Sequence, residues 1–198
     1  MDKVEEKRLL DMGVLKPLVD SGRKENMVKL SCKFVRDWRF RDGWVRRSRL
    51  VAREFRFLQP DLCDLYSPAS LASLQKLFAA LACSNHDLVI LCGDVKDAYL
   101  CVEQRRPTYI ETARGVCYEL LFNLPGQRSG ARDWFVLFRQ ILEGDNLTAF
   151  SGAPALFLEP QSMGVLTHVD DVEAVCLASR GEQLKKHCAK AGLNISWE

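Results

Sequence analysis

Two adjacent aspartates, Asp170 and Asp171, interrupt an apolar run from Val165 to Val175, and no other feature restricts the fold of this chain so sharply. Val, Leu and Ala dominate on both sides, which predicts two short strands; Asp is a poor strand former and suits a tight turn. A hairpin with acids at its tip follows. Upstream, Asp87 to Cys92 predicts another strand, with Asp94 at its end in the segment Gly93-Asp94-Val95-Lys96-Asp97-Ala98-Tyr99. If these strands are sheet neighbours, three carboxylates converge. Hard divalent cations take oxygen ligands, and two of them about 3.5–4 Å apart activate an attacking oxygen and stabilise a leaving one in phosphoryl transfer. Each acid also has a plainer reading. An Asp-Asp turn is commonly a solvated hairpin, and a strand-end Asp commonly caps the following turn.

At 198 residues with 47% apolar content, the chain suffices for one or two compact units with a core. No apolar stretch approaches the roughly 20 residues of a membrane span, and the acidic, lysine-rich start is unlike a signal peptide, so an intracellular chain without a membrane partner is expected. Eight cysteines, at positions 32, 63, 83, 92, 101, 117, 176 and 188, form no CxxC pair. Lying mostly in apolar runs, they read as reduced core residues rather than a zinc site or disulfide framework.

The net charge of +2 conceals a division. Residues 23–56 carry twelve Lys or Arg against four acids, whereas residues 57–198 carry twelve against seventeen. The basic segment is the candidate for phosphate contact, because cationic side chains displace counterions from nucleic acid; alone, it reads equally as a solvated strand face. Its pattern predicts a hairpin turning at Asp42-Gly43, with Val28, Leu30, Cys32 and Phe34 on one face and the lysines on the other.

Elsewhere the chain alternates. Helices are predicted over Lys3 to Leu10, from Ser67-Pro68 onward with Leu71, Leu74, Leu77, Phe78 and Leu81 as a core stripe, over Ala131 to Leu142, and over Gly181 to Lys190. Strand-like runs are Val116 to Phe122 and Ala155 to Leu158, and Leu193 to Trp197 follows the last helix. No repeat or low-complexity linker appears, which suggests one continuous unit.

Five ordered segments carry a family resemblance. Asp94-Val95-Lys96-Asp97-Ala98-Tyr99 and His168-Val169-Asp170-Asp171 resemble the first and second catalytic motifs of reverse transcriptases. Arg49-Leu50-Val51-Ala52-Arg53-Glu54-Phe55-Arg56 and Tyr66-Ser67-Pro68 are similar to the "RLVA" and "FSPV" segments of copia-type LTR-retrotransposon polymerases. Leu124-Pro125-Gly126 with Arg132-Asp133-Trp134 falls where that family has "LYGLKQxPRxW". The resemblance spans roughly residues 28–175.

This resemblance implies an α+β fold of reverse-transcriptase-like fingers and palm: an antiparallel palm sheet backed by helices, thumb absent. Residues 1–198 would be a single truncated domain, with residues 23–66 the basic fingers hairpin region, 67–102 and 129–198 palm elements, and 103–128 the fingers/palm connection. It implies an RNA-directed DNA polymerase fragment of a retrotransposon polyprotein. Asp94, Asp170 and Asp171 would be both the catalytic residues and the ligands of two Mg²⁺ ions, with Mn²⁺ as a substitute. Tyr99 would lie under the sugar of the incoming nucleotide, and Arg49 and Lys33 would meet its triphosphate. Arg47, Arg53 and His168 would contact nucleic acid. Partners would be an RNA or DNA template-primer, deoxynucleoside triphosphates and other parts of the polyprotein. Arg132 and Trp134 read as structural, and Asp97 as a cap rather than a ligand.

There are departures from the family pattern. His168 stands where an aromatic is usual, Asp97 where copia-type chains often have Thr, and Pro125 to Gly130 depart from "YGLKQxP". The chain also stops shortly after the paired acids, with no room there for a thumb or ribonuclease H domain. Those departures keep an alternative open, a catalytically inactive remnant acting as a nucleic-acid-binding or interaction module. A two-metal nuclease would use similar acids but leaves Tyr99 and the Arg49-Leu50-Val51-Ala52 segment unexplained.

Overall fold

The computed structural model describes residues 1–19, 21–40, 42–55 and 65–198; of residues 21–23 only the backbone is described. Arg56 and Cys63, which figure in the sequence reading, lie outside the described residues. The chain divides into two compact units, Met1–Leu65 with Tyr99–Gly130, and Tyr66–Ala98 with Ala131–Glu198. Each is assembled from two separated stretches, so the division leaves no linker for composition to betray.

The first unit opens with helix α1 (Asp2–Asp11) and strand β1 (Leu15–Pro17), followed by a 3₁₀ turn (Ser21–Asn26) and strands β2 (Val28–Leu30), β3 (Cys32–Phe40) and β4 (Trp44–Ala52). The basic segment is therefore more than one hairpin. Its first arm breaks at Ser31. β2 pairs in parallel with a later strand of this unit, and only β3 and β4 form the two-stranded ribbon, in unbroken register from Cys32–Ala52 to Phe40–Trp44. The ribbon turns through Asp42 and Gly43, both at positive φ, as Asp-Gly predicts.

Chain order continues in the second unit with α2 (Ala72–Ser84) and β5 (Leu88–Val95), returns to the first with a 3₁₀ turn (Ala98–Cys101), β6 (Glu103–Glu111) and β7 (Cys117–Phe122), and finishes in the second with α3 (Gly130–Glu143), β8 (Thr148–Phe150), β9 (Ala153–Glu159), β10 (Met163–His168), β11 (Asp171–Leu177), α4 (Ala178–Lys190) and β12 (Ile195–Trp197). The first unit's sheet runs β1-β7-β6-β2. β6 escapes sequence reading because Pro107 and four charges sit in it; the irregular register between Glu103 and Thr108 accommodates the proline.

The first unit's core is Leu9, Val14, Leu15, Leu30, Leu50, Ala52, Leu100, Ile110, Tyr118, Leu120 and Leu124. α1 is tied to it by acids. Tyr118 donates its hydroxyl hydrogen to Glu6, which also pairs with Arg114, and burial together with Glu6 pushes the phenol up to about 12. Asp2 accepts from Arg36 Nε at 2.9 Å and from Ser48 Oγ at 2.8 Å, and the Arg36 guanidinium holds the Asp2 carboxyl well below the usual range.

The loop after β7 is fastened to the end of β4. Ala52 N–H donates to Pro125 O at 2.7 Å, Arg128 N–H donates to Glu54 at 2.7 Å, and the Gln127 side chain accepts from Leu124 N–H at 2.6 Å and from Gln104 Nε2 at 2.8 Å. Gly126 has φ +91, and a Cβ there would lie 2.5 Å from Ala52 O. Gly126→Ala is expected to cost about 2–3 kcal/mol of unfolding free energy, from left-handed strain and backbone collision together, measured by urea denaturation.

The second unit's sheet runs β12-β5-β11-β10-β9-β8, antiparallel at every described pairing. β10 and β11 are central and nearly buried throughout, which is why both read as apolar runs rather than alternations. α3 and α4 share one face: Phe135 packs on Phe157, and Gly181 sits against Leu91 and Cys176. Trp134, stacked on Phe138 with ring centroids 5.1 Å apart, is buried in this layer.

α2 covers part of the opposite face, where Phe78 packs with Leu156, Leu166 and Val175. The expected core stripe does not form as read. The helix begins at Ala72 rather than Ser67, and Leu71, Leu77 and Leu81 are 54%, 49% and 42% exposed; Phe78 is its buried residue, with Leu74 and Ala82 partly buried beside it. The cysteines also differ from expectation in their burial: of the seven described, only Cys176 and Cys188 are buried.

Candidate active site

The hairpin tip sits one residue earlier than Asp propensity suggests. His168 pairs with Asp171 across the ladder, so the two-residue turn is Val169-Asp170 and Asp171 belongs to β11. Val169 has φ +56, a costly conformation for a β-branched residue. Its carbonyl accepts from Trp134 Nε1 at 2.5 Å, and the Asp170 carbonyl accepts from Val95 N–H at 2.8 Å. Two hydrogen bonds from neighbouring elements thus fix the strained turn.

β5 pairs with β11 so that Asp94 stands directly opposite Asp171. Opposed residues of an antiparallel pair project from the same face, here the face that α2 partly covers. Asp94 therefore lies inside the strand, one residue short of its end. Gly93, beside it, is held small: a Cβ there would come 2.8 Å from the Trp197 ring, since β12 crosses at this point.

All three carboxylates are exposed at one end of the sheet, and among the described residues none of them pairs with a lysine or arginine. Burial raises the Asp171 carboxyl above its ordinary value, and the charges of Asp170 and Asp94 push it further; His168 acts in the opposite direction. The end of the sheet is an uncompensated anionic cluster. Among the described residues no three His, Cys, Asp or Glu side chains stand close enough together to hold a metal ion as they are placed. The donor set itself, three carboxylates lacking cationic partners, is the chemistry a hard divalent cation takes.

The next row on this face is Cys92 opposite Glu173, with Glu198 alongside Cys92 through paired backbone hydrogen bonds at 2.8 and 3.1 Å. Burial and these two acids raise the Cys92 thiol, so it is not an activated nucleophile. Sequence reading missed this row; the alternation Cys92, Asp94 and Asp171, Glu173 was the available signal.

The remaining candidates lie in the first unit, apart from His168. Lys33 pairs with Val51 and Arg49 with Val35, which makes Lys33 and Arg49 diagonal neighbours on one ribbon face, with Arg47 two residues further on. Among the described residues Arg49 Nε is buried without a hydrogen-bond partner. Arg53 is exposed, its guanidinium 5.8 Å from the centre of the Phe55 ring. Tyr99 is half-buried in the 3₁₀ turn, its ring against Gly130. Asp97 has φ +56 just before that turn.

No protein-family model and no curated protein sequence matches this chain. Solved structures do. Over 93% of its length it is similar to an apo telomerase from Candida tropicalis truncated of its C-terminal domain, with a TM-score of 0.50 and 10% identity. Over 95% it is similar to a foamy viral protease-reverse transcriptase in complex with double-stranded DNA, with a TM-score of 0.51 and 16% identity. The chain has a reverse-transcriptase-like fold. It spans 52% of the telomerase chain and 28% of the foamy viral one. No helix among the described residues is long and apolar enough to cross a membrane.

Proposed function

We propose that this chain is the fingers and palm portion of an RNA-directed DNA polymerase of the copia type, part of an intracellular retrotransposon polyprotein. The observation that carries the reading is the register that sets Asp94 opposite Asp171, with Asp170 on the turn between β10 and β11. The reaction is template-directed addition of deoxynucleotides to a primer 3′-hydroxyl on an RNA or DNA template.

Asp94, Asp170 and Asp171 would hold two Mg²⁺ ions, or Mn²⁺ in their place. When bound, the cations supply an activated primer hydroxyl and neutralisation of charge on the leaving phosphate. The strand pairing and the two hydrogen bonds to the turn fix the backbone from which the three acids project, and their exposed carboxylates would draw together around a cation. Arg49 and Lys33 present adjacent cations to a triphosphate. Tyr99 is assigned to the sugar, where an aromatic ring disfavours a 2′-hydroxyl. Arg47, Arg53 and His168 are assigned to the template-primer.

Primer extension tests this reading, with the chain alone and joined to the remaining domains of the foamy viral enzyme, on RNA and DNA templates with Mg²⁺ or Mn²⁺. Cation-dependent incorporation is the expected result. Absence of Mn²⁺ binding to the parent chain by electron paramagnetic resonance would sink it.

A further inference from the structure

The β3–β4 ribbon carries a second arrangement that the acids and the triphosphate residues do not use. Alternation sends Lys33, Arg47 and Arg49 to one face; to the other it sends Arg36, Trp38 and Phe40 from β3 with Trp44, Arg46 and Ser48 from β4. Near the base of that second face, Met1, Asp2, Lys3, Arg36, Arg46 and Arg114 line a recess of about 430 Å³. Asp2 neutralises Arg36, and Glu6 neutralises Arg114. Lys3 and Arg46 have no partner among the described residues, so the recess holds a surplus of positive charge.

Beyond it, three large aromatics stand in the open. Trp38 is 63% exposed, Phe40 69% and Trp44 70%, and Phe40 and Trp44 meet edge to face with centroids 5.7 Å apart. Trp38 lies directly across from Arg46, so rings and recess are continuous. Burial does not require these residues; a binding role does.

We infer that this face, Trp38, Phe40 and Trp44 with the Lys3–Arg46 recess, is a binding site for single-stranded nucleic acid. It takes its ligand class from the reading above but lies on the ribbon face opposite Arg49 and Lys33. Charge complementarity selects the occupant: the rings sit in the segment of residues 23–56, where basic residues outnumber acids three to one. Cationic side chains displace counterions from phosphates, and base-aromatic stacking adds about 1–3 kcal/mol per base whatever the sequence. The spacing favours separated bases. Same-face positions two residues apart along a strand are about 7 Å apart, whereas bases stacked in a duplex follow every 3.4 Å and leave no room for a ring.

The test uses the full chain and fluorescence anisotropy with oligothymidylate of about 12 nucleotides, an abasic strand of the same length and a blunt duplex. The parent should bind oligothymidylate at least about 10-fold more tightly than the abasic strand. The double variant W38A/W44A should lose that preference, weakening about 10- to 100-fold on oligothymidylate while holding its abasic affinity. Lys3→Ala with Arg46→Ala should weaken both and flatten the slope of log affinity against log salt by about 1.4. In the parent, ultraviolet cross-linking should fall on the peptide carrying Trp38 and Trp44, which settles the matter even if the double variant folds poorly.

Equal affinity for thymidylate and abasic strands in the parent overturns the inference, as does cross-linking elsewhere. Self-association of the parent that W38A/W44A abolishes would assign the face to a second copy and overturn it too. So would binding to anionic phospholipid vesicles without binding to any oligonucleotide. Mn²⁺ binding and primer extension are read separately, so the polymerase assignment stands or falls independently of this face.

Discussion

Asp170→Asn should lower Mn²⁺ affinity at least about 100-fold and remove any primer extension, while the thermal midpoint of the cation-free chain stays at or slightly above that of the parent. The side chain is exposed, and the contact that holds this residue, its carbonyl with Val95 N–H, belongs to the backbone and survives the substitution. What is lost is one anionic oxygen donor. What is gained is relief for Asp171, whose carboxyl is raised by burial and then by Asp170 and Asp94. Asp94→Asn should act the same way but less strongly, because Asp94 raises the Asp171 carboxyl less than Asp170 does; a rise of at most about 1 °C in the cation-free midpoint is expected. Calorimetry with and without Mn²⁺ reads both effects. An Asn variant that binds Mn²⁺ like the parent would place the ligands elsewhere.

Arg180→Met should destabilise the second unit by about 3–5 kcal/mol. Arg180 Nη1 meets Asp145 Oδ2 at 2.8 Å, its Nη2 donates to the Asp145 carbonyl at 2.9 Å, and its Nε donates to Glu159 at 2.6 Å. Its side chain is only 12% exposed. It joins α4 to the end of β9 and the turn after α3, and His187 adds a bond with Ile141 O at 2.8 Å. Deleting the guanidinium strands two partly buried carboxylates, so the penalty exceeds the worth of the pair itself. Arg180→Lys keeps the charge but loses the forked geometry and should recover only part of the loss. Urea unfolding followed at Trp134 reads it; a change below about 1 kcal/mol for Arg180→Met would mean that solvent already screens the cluster.

Much of the fold could be read because its signals are local. α3 and α4 follow apolar spacing at helical period, and β5, β10 and β11 follow runs of branched residues. β6 could not be read, because Pro107 and its charges are tolerated only through the irregular pairing beside them. The α2 stripe misled for a different reason: Leu71, Leu77 and Leu81 have the right spacing, but spacing does not report whether a partner surface is present. At the site, the pairing of Asp94 with Asp171 was foreseeable only in outline. The turn position depends on Val169 accepting a left-handed conformation, which no propensity favours and which Trp134 and Val95 enforce from outside the hairpin. The aromatic tip was visible in the sequence as Trp38, Phe40 and Trp44, yet only the ribbon register separates it from Lys33 and Arg49.

The order in which β5 finds its neighbours carries a consequence for biosynthesis. β5 lies between β11 and β12, both from the last stretch of the chain, while every part of the first unit has been made once residue 130 is reached. At roughly 5–20 residues per second, the strand bearing Asp94 leaves the ribosome with both hydrogen-bonding edges open and waits several seconds for a partner. Its apolar half, Leu88 to Cys92, is the sort of segment that seeks any other strand meanwhile. Nascent chains halted before β11 should therefore be captured by holdase chaperones or aggregate, and slowing translation between α3 and β10 should lower the soluble yield.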